Sequence, residues 1–437
     1  MKKVDLILLE SWEQEFKDNI QKTILRRALN NNELQTIAIK QENVPKTSFK
    51  FSKEIQTLPV ANQQKSGRCW IFAGLNVLRE IIAKKYGLKD FELSQNYIAF
   101  YDKLEKINYF IESIDDFLDA DKDDRTLQHI VRTGIQDGGQ WDMFVSLVEK
   151  YGVVPKEAMD ETANSSSTRI VNQLINVKLR KYASMARKNP EGREKYKEET
   201  LKVLYDFLLS NFGNPPKKFD FEYVDKENNY YLIEDLDPHK FFTEYIGSSL
   251  GDYVSIINAP TQDKPFNKTF TVEYLGNVVE GRTIKYLNLE MSKLKDKVLK
   301  QLSDDEVVWF GSDVGYFGDR DLGVWDDSRY DYSNIFETSF ELDKESMLDY
   351  GHSQMNHAMV ITGFASKNGK PIKYKIQNSW GDTSGKKGYY LASDSWFDRF
   401  VYQAVINKKY LTEEELKIWE EEPIKLKPWD PMGSLAD

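Results

Sequence analysis

The spacing of apolar residues predicts several helices in the first half of the chain. In the run from Cys69 to Tyr86, apolar residues recur at helical spacing, and Gly87 follows as a helix stop. Ser94 is the predicted N-cap of the next helix, and Pro190 interrupts a long, highly charged helical stretch further on. The predicted helices cover residues 8–29, 69–86, 94–118, 141–151 and 176–212.

From about Glu306 the pattern changes to short β-branched or aromatic runs separated by glycine and polar turns. Helices come first and strands last, so the pattern predicts an α+β chain and not an alternating βαβ one. After Leu411 we expect one short acidic helix, and then an extended ending because Pro423, Pro428 and Pro431 follow. The predicted strands cover residues 307–310, 358–364, 372–376, 389–391 and 401–406.

Composition and charge exclude several classes of protein. Of the 437 residues, 40% are apolar and 13% aromatic, which is enough for a core and excludes wholesale disorder. A formal charge of −10 gives no global attraction to nucleic acid or to anionic lipid. The apolar run at 6–9 is too short for a signal peptide or a membrane span. We therefore expect a cytoplasmic protein without a membrane partner.

A single cysteine, Cys69, excludes an intrachain disulfide and fits a reducing compartment. Cys69 lies where a glycine-containing turn meets a long apolar helix. Backbone N–H groups at a helix N-terminus stabilise an anion, so this position favours a reactive thiolate. The alternative is that Cys69 is a small buried apolar residue. With four histidines and no HExxH or CxxC pattern, we expect no metal site.

A nucleophilic cysteine needs a base and a group that orients the base. His357 begins an apolar strand, and Asn378 follows the next predicted strand, so two adjacent strands could bring them together. Trp380 would then shield their contact from water. Gln63, six residues before Cys69, could donate its amide to a developing oxyanion.

These residues together resemble the papain-like cysteine peptidases, and among them the bleomycin hydrolase/aminopeptidase C family. Gln63, Cys69-Trp70, His357 and the run 378–381 (Asn-Ser-Trp-Gly) match the general papain signature in order. The narrower family is indicated by five further runs, and the resemblance covers roughly residues 50–437. The runs are 66–70 (SGRCW), 137–141 (DGGQW), 150–156 (KYGVVPK), 310–315 (FGSDVG) and 428–433 (PWDPMG).

Two departures from the papain pattern stand out. Gln377 precedes Asn378 where relatives usually have Glu, which leaves the predicted roles intact. Cys69 and His357 are also further apart in sequence than in papain itself, where the separation is about 130–150 residues. A helical insertion accounts for the extra length.

The resemblance implies a papain-like two-lobe fold, with a helical lobe, a β-barrel-like lobe, a large helical insertion and a C-terminal arm in the cleft. The expected segments are an N-terminal segment (1–60), a helical lobe with the nucleophile (61–160), a mainly helical insertion (161–300), a β-rich lobe with His and Asn (301–410), and a C-terminal helix and active-site tail (411–437).

The resemblance also implies a cysteine aminopeptidase without a cofactor. Cys69 would be the nucleophile in a thiolate–imidazolium pair with His357, Asn378 would orient the ring, and Gln63 would stabilise the oxyanion. In the family the tail folds into the cleft, so Ala436 and Asp437 are expected to contact the free amino group of a peptide substrate. The family assembles as a homohexamer, which is the expected assembly here.

Two alternatives remain open at this stage. One is an endopeptidase or a broader amidohydrolase of the same fold, including hydrolysis of bleomycin-like amides. The other is a nucleic-acid-binding scaffold with a vestigial site, suggested by the basic residues at 178–188. Several glutamates follow that stretch, so a solvated helix face is the preferred interpretation and nucleic acid is not the expected partner.

Overall fold

The structure is a computed structural model, and it describes residues 2–40, 48–247 and 249–436. The chain divides into two compact units. The smaller comprises Met1–Ser48 and Asp326–Glu341, and the larger comprises Phe49–Trp325 and Leu342–Asp437. The segment 326–341, expected within the β-rich lobe, thus groups with the N-terminal residues.

The α-helices are, in chain order, α1 (Leu6–Asp18), α2 (Ile20–Leu29), α3 (Leu34–Ala38), α4 (Cys69–Tyr86), α5 (Gln95–Asp115), α6 (Arg125–Thr133), α7 (Trp141–Tyr151), α8 (Arg169–Lys188), α9 (Arg193–Phe212), α10 (Pro238–Lys240), α11 (Met291–Ser303), α12 (Tyr332–Phe336), α13 (Lys344–Asp349), α14 (Asp394–Phe400) and α15 (Glu413–Trp419).

The strands are β1 (Lys53–Glu54), β2 (Phe219–Val224), β3 (Tyr230–Leu236), β4 (Tyr253–Ile257), β5 (Lys268–Val272), β6 (Tyr286–Asn288), β7 (Val308–Ser312), β8 (Gly318–Asp319), β9 (Val324–Trp325), β10 (His357–Lys367), β11 (Lys370–Gln377), β12 (Tyr389–Ser393), β13 (Val401–Asn407) and β14 (Ile424–Leu426).

In the smaller unit, the single helix predicted over 8–29 is two helices. Asn19 separates them because its backbone is extended (ψ 104°), and its side chain accepts a hydrogen bond from the N–H of Lys22 at the start of α2. Neither helix has a buried residue. Large apolar side chains such as Leu6, Ile7 and Ile20 are therefore exposed.

In the larger unit, α4 begins and ends where its sequence predicts. It is a central helix, buried on nearly every side, which agrees with its apolar character. Gly87 ends it in the left-handed conformation (φ 63°), which glycine adopts without steric cost. The helix after Ser94 and the helix at 141–151 are confirmed as α5 and α7, with the Ser94 hydroxyl capping α5.

A sheet of 12 strands organises the larger unit. Its order is β14-β5-β6-β4-β13-β7-β10-β11-β12-β9-β8, with β1 paired to β10. The central strands β7, β10 and β11 are antiparallel neighbours, so β10 begins at the edge where β11 ends. All five predicted strands are found, each within a few residues of its predicted bounds. The chain is therefore α+β, as expected.

Two stretches differ from the sequence-based expectation. The segment 161–300 contains the predicted charged helices as α8 and α9, and then the strands β2 to β6. Three of these strands, β4 to β6, join the main sheet, because their buried side chains complete its apolar face. The predicted extended ending is wrong for its last residues: Pro431–Ala436 form a 3₁₀ helix with five buried residues. Among the described residues, no helix combines the length and apolar character needed to cross a bilayer.

Candidate active site

Cys69 is the first residue of α4, and its side chain is buried. The backbone N–H of Ala358 donates to its Sγ at 3.4 Å. Ala358 directly follows His357, so the start of β10 lies against the start of α4. The predicted nucleophile thus sits at a helix N-terminus, where unpaired backbone N–H groups favour an anion.

Gln63 is held in the loop that precedes α4 by a ring of hydrogen bonds. Its Nε2 donates to the carbonyl of Ser66 at 2.7 Å, and its Oε1 accepts from the hydroxyl of Ser379 at 2.6 Å. Its backbone N–H donates to the carbonyl of Ser379 at 2.8 Å. These bonds tie the loop before α4 to the segment after β11, and they leave one Nε2 hydrogen for another acceptor.

His357 and Asn378 meet at one edge of the sheet, as their positions on adjacent strands predict. The Nε2 of His357 lies 2.8 Å from the Oδ1 of Asn378, and both side chains are buried. Asn378 Oδ1 also accepts the backbone N–H of Ser379 at 2.8 Å, which orients the amide. Because Asn378 occupies Nε2, the other ring nitrogen, Nδ1, is left to exchange a proton with a reacting group.

Trp380 covers the imidazole. The ring centroids of Trp380 and His357 are 4.8 Å apart with the planes tilted by 29°. The guanidinium of Arg320 lies over the ring of Trp380, 4.6 Å from its centroid. Trp380 therefore contacts both the imidazole and a cation.

Burial shifts both titratable groups toward their neutral forms. Burial raises the pKa of the Cys69 thiol to about 11, although the backbone N–H groups of Ala358 and Trp70 act in the opposite direction. Burial lowers the pKa of His357 to about 4, opposed by its hydrogen bond with Asn378 and reinforced by the positive charge of Arg320. Burial of the two groups thus opposes the expected thiolate–imidazolium pair, because each ion loses its hydration.

A cluster of buried charges lies beside the start of α4, and the sequence analysis assigned it no role. Asp137 accepts the backbone N–H of Gly67 at 2.8 Å and the ammonium of Lys103 at 2.6 Å. Despite its burial, the Lys103 charge and several hydrogen bonds hold the pKa of Asp137 well below its usual range. The Asp137 carbonyl also accepts the indole N–H of Trp70 at 2.7 Å. The DGGQW run, noted only as a family signature, thus braces the start of α4.

Arg68, the residue before Cys69, is a buried cation with an acidic partner. Its guanidinium makes two parallel hydrogen bonds with the Glu161 carboxylate, at 3.1 and 3.0 Å, and a third with the hydroxyl of Ser66. Arg68 is only 1% exposed, so its charge is compensated inside the protein. The ion pair connects the nucleophile loop with the chain at 161.

In the tail (defined here as residues 429–436), residues 432–436 are buried close to this site. A Cβ on Gly138 would lie 2.2 Å from the carbonyl oxygen of Leu435, and one on Gly139 would overlap the ring of Trp70. Because glycine has no Cβ, Leu435 of the tail can lie close to Gly138, and the ring of Trp70 can lie close to Gly139. Ala436, predicted to bind substrate, is buried in the same apolar cluster as Cys69. Asp437, the other predicted substrate-binding residue, lies outside the described residues.

Comparison with known proteins places the chain in a family of peptidases. The family described as "Peptidase C1-like family" matches residues 3–433. Aminopeptidase C of Listeria innocua is 46% identical over 433 residues, covering 98% of each chain. Aminopeptidase C of Lactobacillus delbrueckii subsp. lactis is 49% identical over 395 residues, covering 88% of each. Bleomycin hydrolase of Mus musculus is 38% identical over 393 residues, covering 87% of this chain and 86% of the other.

A solved structure agrees with these matches. The crystal structure of PepW from Lactobacillus rhamnosis HN001 superposes with a TM-score of 0.96 at 46% identity and covers 99% of both chains. The fold is therefore papain-like, as the sequence indicated. The chain belongs to the Peptidase C1-like family of papain-like cysteine peptidases, in the part of it that includes the aminopeptidase C and bleomycin hydrolase proteins.

Proposed function

We propose that this papain-like cysteine aminopeptidase uses Cys69 as its nucleophile and His357 as its acid and base. The observation that supports this most directly is the meeting of α4 and β10, where the Ala358 N–H contacts Cys69 Sγ while Asn378 holds His357. Cys69 transfers its proton to His357, and the resulting opposite charges stabilise each other at short range. The N–H groups at the start of α4 stabilise the thiolate and offset the burial that opposes it.

In the first half-reaction, Cys69 Sγ attacks the carbonyl carbon of the first peptide bond of the substrate. The oxyanion accepts hydrogen bonds from the Cys69 backbone N–H and from the free Nε2 hydrogen of Gln63. His357 then gives its proton to the leaving amine, the C–N bond breaks, and a thioester remains on Cys69. Trp380 keeps water away from the imidazole during this step.

In the second half-reaction, water attacks the thioester. His357 accepts a proton from the water, the C–S bond breaks, and the released amino acid leaves the Cys69 thiol free again. Asn378 keeps the ring in one orientation through both steps, because its Oδ1 engages Nε2 and leaves Nδ1 facing the reaction. No step requires a metal or an organic cofactor.

The tail supplies the exopeptidase character in this proposal. Residues 432–436 are buried in the structure, so the chain itself fills part of the cleft that a longer substrate would need. We propose that Ala436, with Asp437 beyond it, contacts the free amino group of a peptide and blocks chains that extend further. Peptides with a free N-terminus are then the substrates, and bleomycin-like amides, which carry a similar bond, are a further candidate class.

Hydrolysis of two matched fluorogenic peptides tests this function. One has a free α-amine and the other is acetylated, and each is assayed with the wild-type chain, with Cys69→Ser and with the chain lacking residues 433–437. We expect cleavage of the free-amine peptide only, loss of at least about 10³-fold in Cys69→Ser, and a gain of acetylated-peptide cleavage in the truncated chain. Equal cleavage of both peptides by the wild-type chain would favour an endopeptidase.

The scaffold alternative receives little support from the basic stretch on α8. The guanidinium of Arg180 donates to the carbonyls of Val131 and Arg132, and that of Arg187 donates to the carbonyl of Phe117. Both arginines thus already use part of their hydrogen-bonding capacity on carbonyl groups at or just beyond the ends of neighbouring helices. Salt-dependent retention on DNA would nevertheless revive that alternative.

We further propose that the chain self-associates, as the homohexamer implied by the family resemblance would require, and acts in the cytoplasm. Supporting the first, α1 and α2 carry apolar side chains that are mostly exposed, among them Leu6 (72%), Ile7 (77%) and Ile20 (72%). A reducing compartment would keep the lone Cys69 thiol active. Light scattering of the purified chain should give six times the mass of 51.0 kDa; a monomer would contradict the assembly.

A further inference from the structure

The tail begins with an ion pair that the proposed reaction does not use. The Nζ of Lys264 lies 2.9 Å from the Oδ2 of Asp430. The other carboxylate oxygen of Asp430, Oδ1, accepts the backbone N–H of Met432 at 2.9 Å, and the Asp430 carbonyl accepts the N–H of Gly433 at 2.9 Å. Asp430 therefore both starts the final 3₁₀ turn and ties it to Lys264.

Lys264 is a buried cation on a fixed loop. Its side chain is 2% exposed, and that of Asp430 is 8% exposed. Burial acts against the charge, but Asp430 and Asp263 outweigh it and raise the pKa of Lys264. The loop is held by the side-chain amide of Asn288, which donates to the carbonyls of Ala259 and Lys264. The position of the Lys264 ammonium is therefore set by this loop and not by the tail.

Among the described residues of the tail, the remaining hydrogen bonds join neutral groups, and Trp429 also contacts the Arg125 guanidinium, 3.8 Å from the centroid of its ring. The carbonyl of Met432 accepts from Tyr286 at 3.2 Å and from Gln140 at 3.4 Å, and the Ser434 hydroxyl donates to the carbonyl of Met355 at 2.7 Å. Loss of one neutral hydrogen bond changes a docking equilibrium modestly. Loss of one partner of a buried ion pair changes it much more, since the other charge is left uncompensated.

We propose that Lys264 is a specificity-determining residue, which holds the tail in the cleft through Asp430 and thereby restricts the enzyme to substrates with a free N-terminus. This inference rests on the proposed function of the tail. Without Lys264, the Asp430 carboxylate is left buried with no cation opposite it, and it regains hydration only when the tail leaves the cleft. The vacated space then admits substrates that extend beyond their N-terminal residue.

The effect is measured as a ratio, namely the cleavage rate of the acetylated peptide divided by that of the free-amine peptide. Lys264→Met should raise the ratio by about 100-fold toward the value of the chain lacking residues 433–437. The matched control is Lys268→Met, which removes an ion pair with Glu421 that is exposed on both sides (48% each). Lys268→Met should leave the ratio at the wild-type value.

Two further variants test the charge argument and do not depend on the folding of Lys264→Met. Asp430→Asn keeps the cap on Met432 while removing the tail's charge, and should raise the ratio less than Lys264→Met does. The double variant Lys264→Met with Asp430→Asn buries no charge, and should return the ratio toward wild type. Mass spectrometry after carboxypeptidase treatment reports tail release without reference to activity: the tail should be trimmed in Lys264→Met and protected in the control.

The outcomes separate this inference from the proposed function. If the truncated chain cleaves the acetylated peptide but Lys264→Met and Asp430→Asn keep the wild-type ratio and a protected tail, Lys264 is not the anchor. If the truncated chain also excludes the acetylated peptide, the tail does not impose the exopeptidase character. That result would overturn the proposed function and this inference with it.

Discussion

The two walls of the cleft are stabilised in different ways. The helix wall, which carries Cys69, contains buried ion pairs: Arg68 with Glu161 and Lys103 with Asp137. The strand wall, which carries His357, is held by the hydrogen bond to Asn378 and by Trp380, whose ring stacks on the imidazole and contacts the Arg320 guanidinium. Ion pairs are buried beside Cys69, while no carboxylate among the described residues is hydrogen-bonded to His357.

This difference bears on how each group is tuned. On the helix wall, each buried charge is compensated by its partner, so the wall is rigid as long as the pairs are complete. On the strand wall, the amide of Asn378 orients His357 without adding a negative charge, and burial lowers the imidazole pKa. A strong anion there would favour imidazolium permanently and slow its release of the proton to the leaving amine.

Breaking one ion pair of the helix wall should produce the largest change in stability. Arg68→Met leaves the Glu161 carboxylate without its cation, and we expect the free energy of unfolding to fall by about 3 kcal/mol. Denaturant unfolding followed by circular dichroism measures this. Adding Glu161→Leu to Arg68→Met should recover part of the loss, since both charges are then removed.

The matched control for that experiment is Lys300→Met, which removes an exposed ion pair with Asp296. We expect no measurable change there, because exposed pairs contribute little. If Arg68→Met were as mild as Lys300→Met, the helix wall would not depend on its buried charges, and the contrast between the walls would disappear.

Adding a charge to the strand wall should have a smaller effect, and we expect it on the reactivity of Cys69 and not on stability. Asn378→Asp keeps an oxygen acceptor for His357 but adds an anion, which raises the pKa of the imidazole from its low value near 4. A more basic imidazole accepts the Cys69 proton more readily, so thiolate persists to lower pH. Alkylation of Cys69 by iodoacetamide at pH 6 should therefore be faster by about tenfold.

The alkylation assay reports Cys69 alone, because the chain has no other cysteine. The pH profile of alkylation shows in which direction the thiol pKa moves. Burial raises that pKa to about 11, and Asn378→Asp should move the midpoint of the profile to lower pH. The matched control is Asn368→Asp, which adds the same charge at the exposed turn between β10 and β11 and should leave the midpoint unchanged. A midpoint that stays fixed or rises in Asn378→Asp would show that the strand wall does not tune the pair.

Much of the fold follows from local sequence signals. The bounds of α4 and α7 were predictable because their apolar periodicity coincides with glycine stops at Gly87 and Gly152. The split between α1 and α2 was missed because Asn19 acts as a cap within a continuous helical pattern. Strands β4 to β6 were missed because an isolated short apolar run does not reveal which sheet it will join.

The candidate site was predictable for a different reason. Gln63, Cys69, His357 and Asn378 were predicted from their order and neighbouring residues. In the structure, His357 bonds Asn378, the residue after His357 bonds Cys69, and the residue after Asn378 bonds Gln63. The roles of Asp137 and Lys264 were not predictable in the same way. Each depends on a partner that lies 34 or more residues away, and ordinary loop sequences give no sign of such pairing.

The sequence by itself determined the class of fold, the principal helices and strands, and the identity of the predicted reacting residues, because these depend on local periodicity and on a distinctive set of motifs. Only the tertiary structure decided which residues compensate buried charges and how the tail ends. Proline residues predicted an extended terminus, yet burial against Gly138 and the ion pair with Lys264 favour a compact 3₁₀ turn. Burial and ion pairing depend on residues that are distant in the sequence and meet only in the folded chain, so local sequence does not specify them.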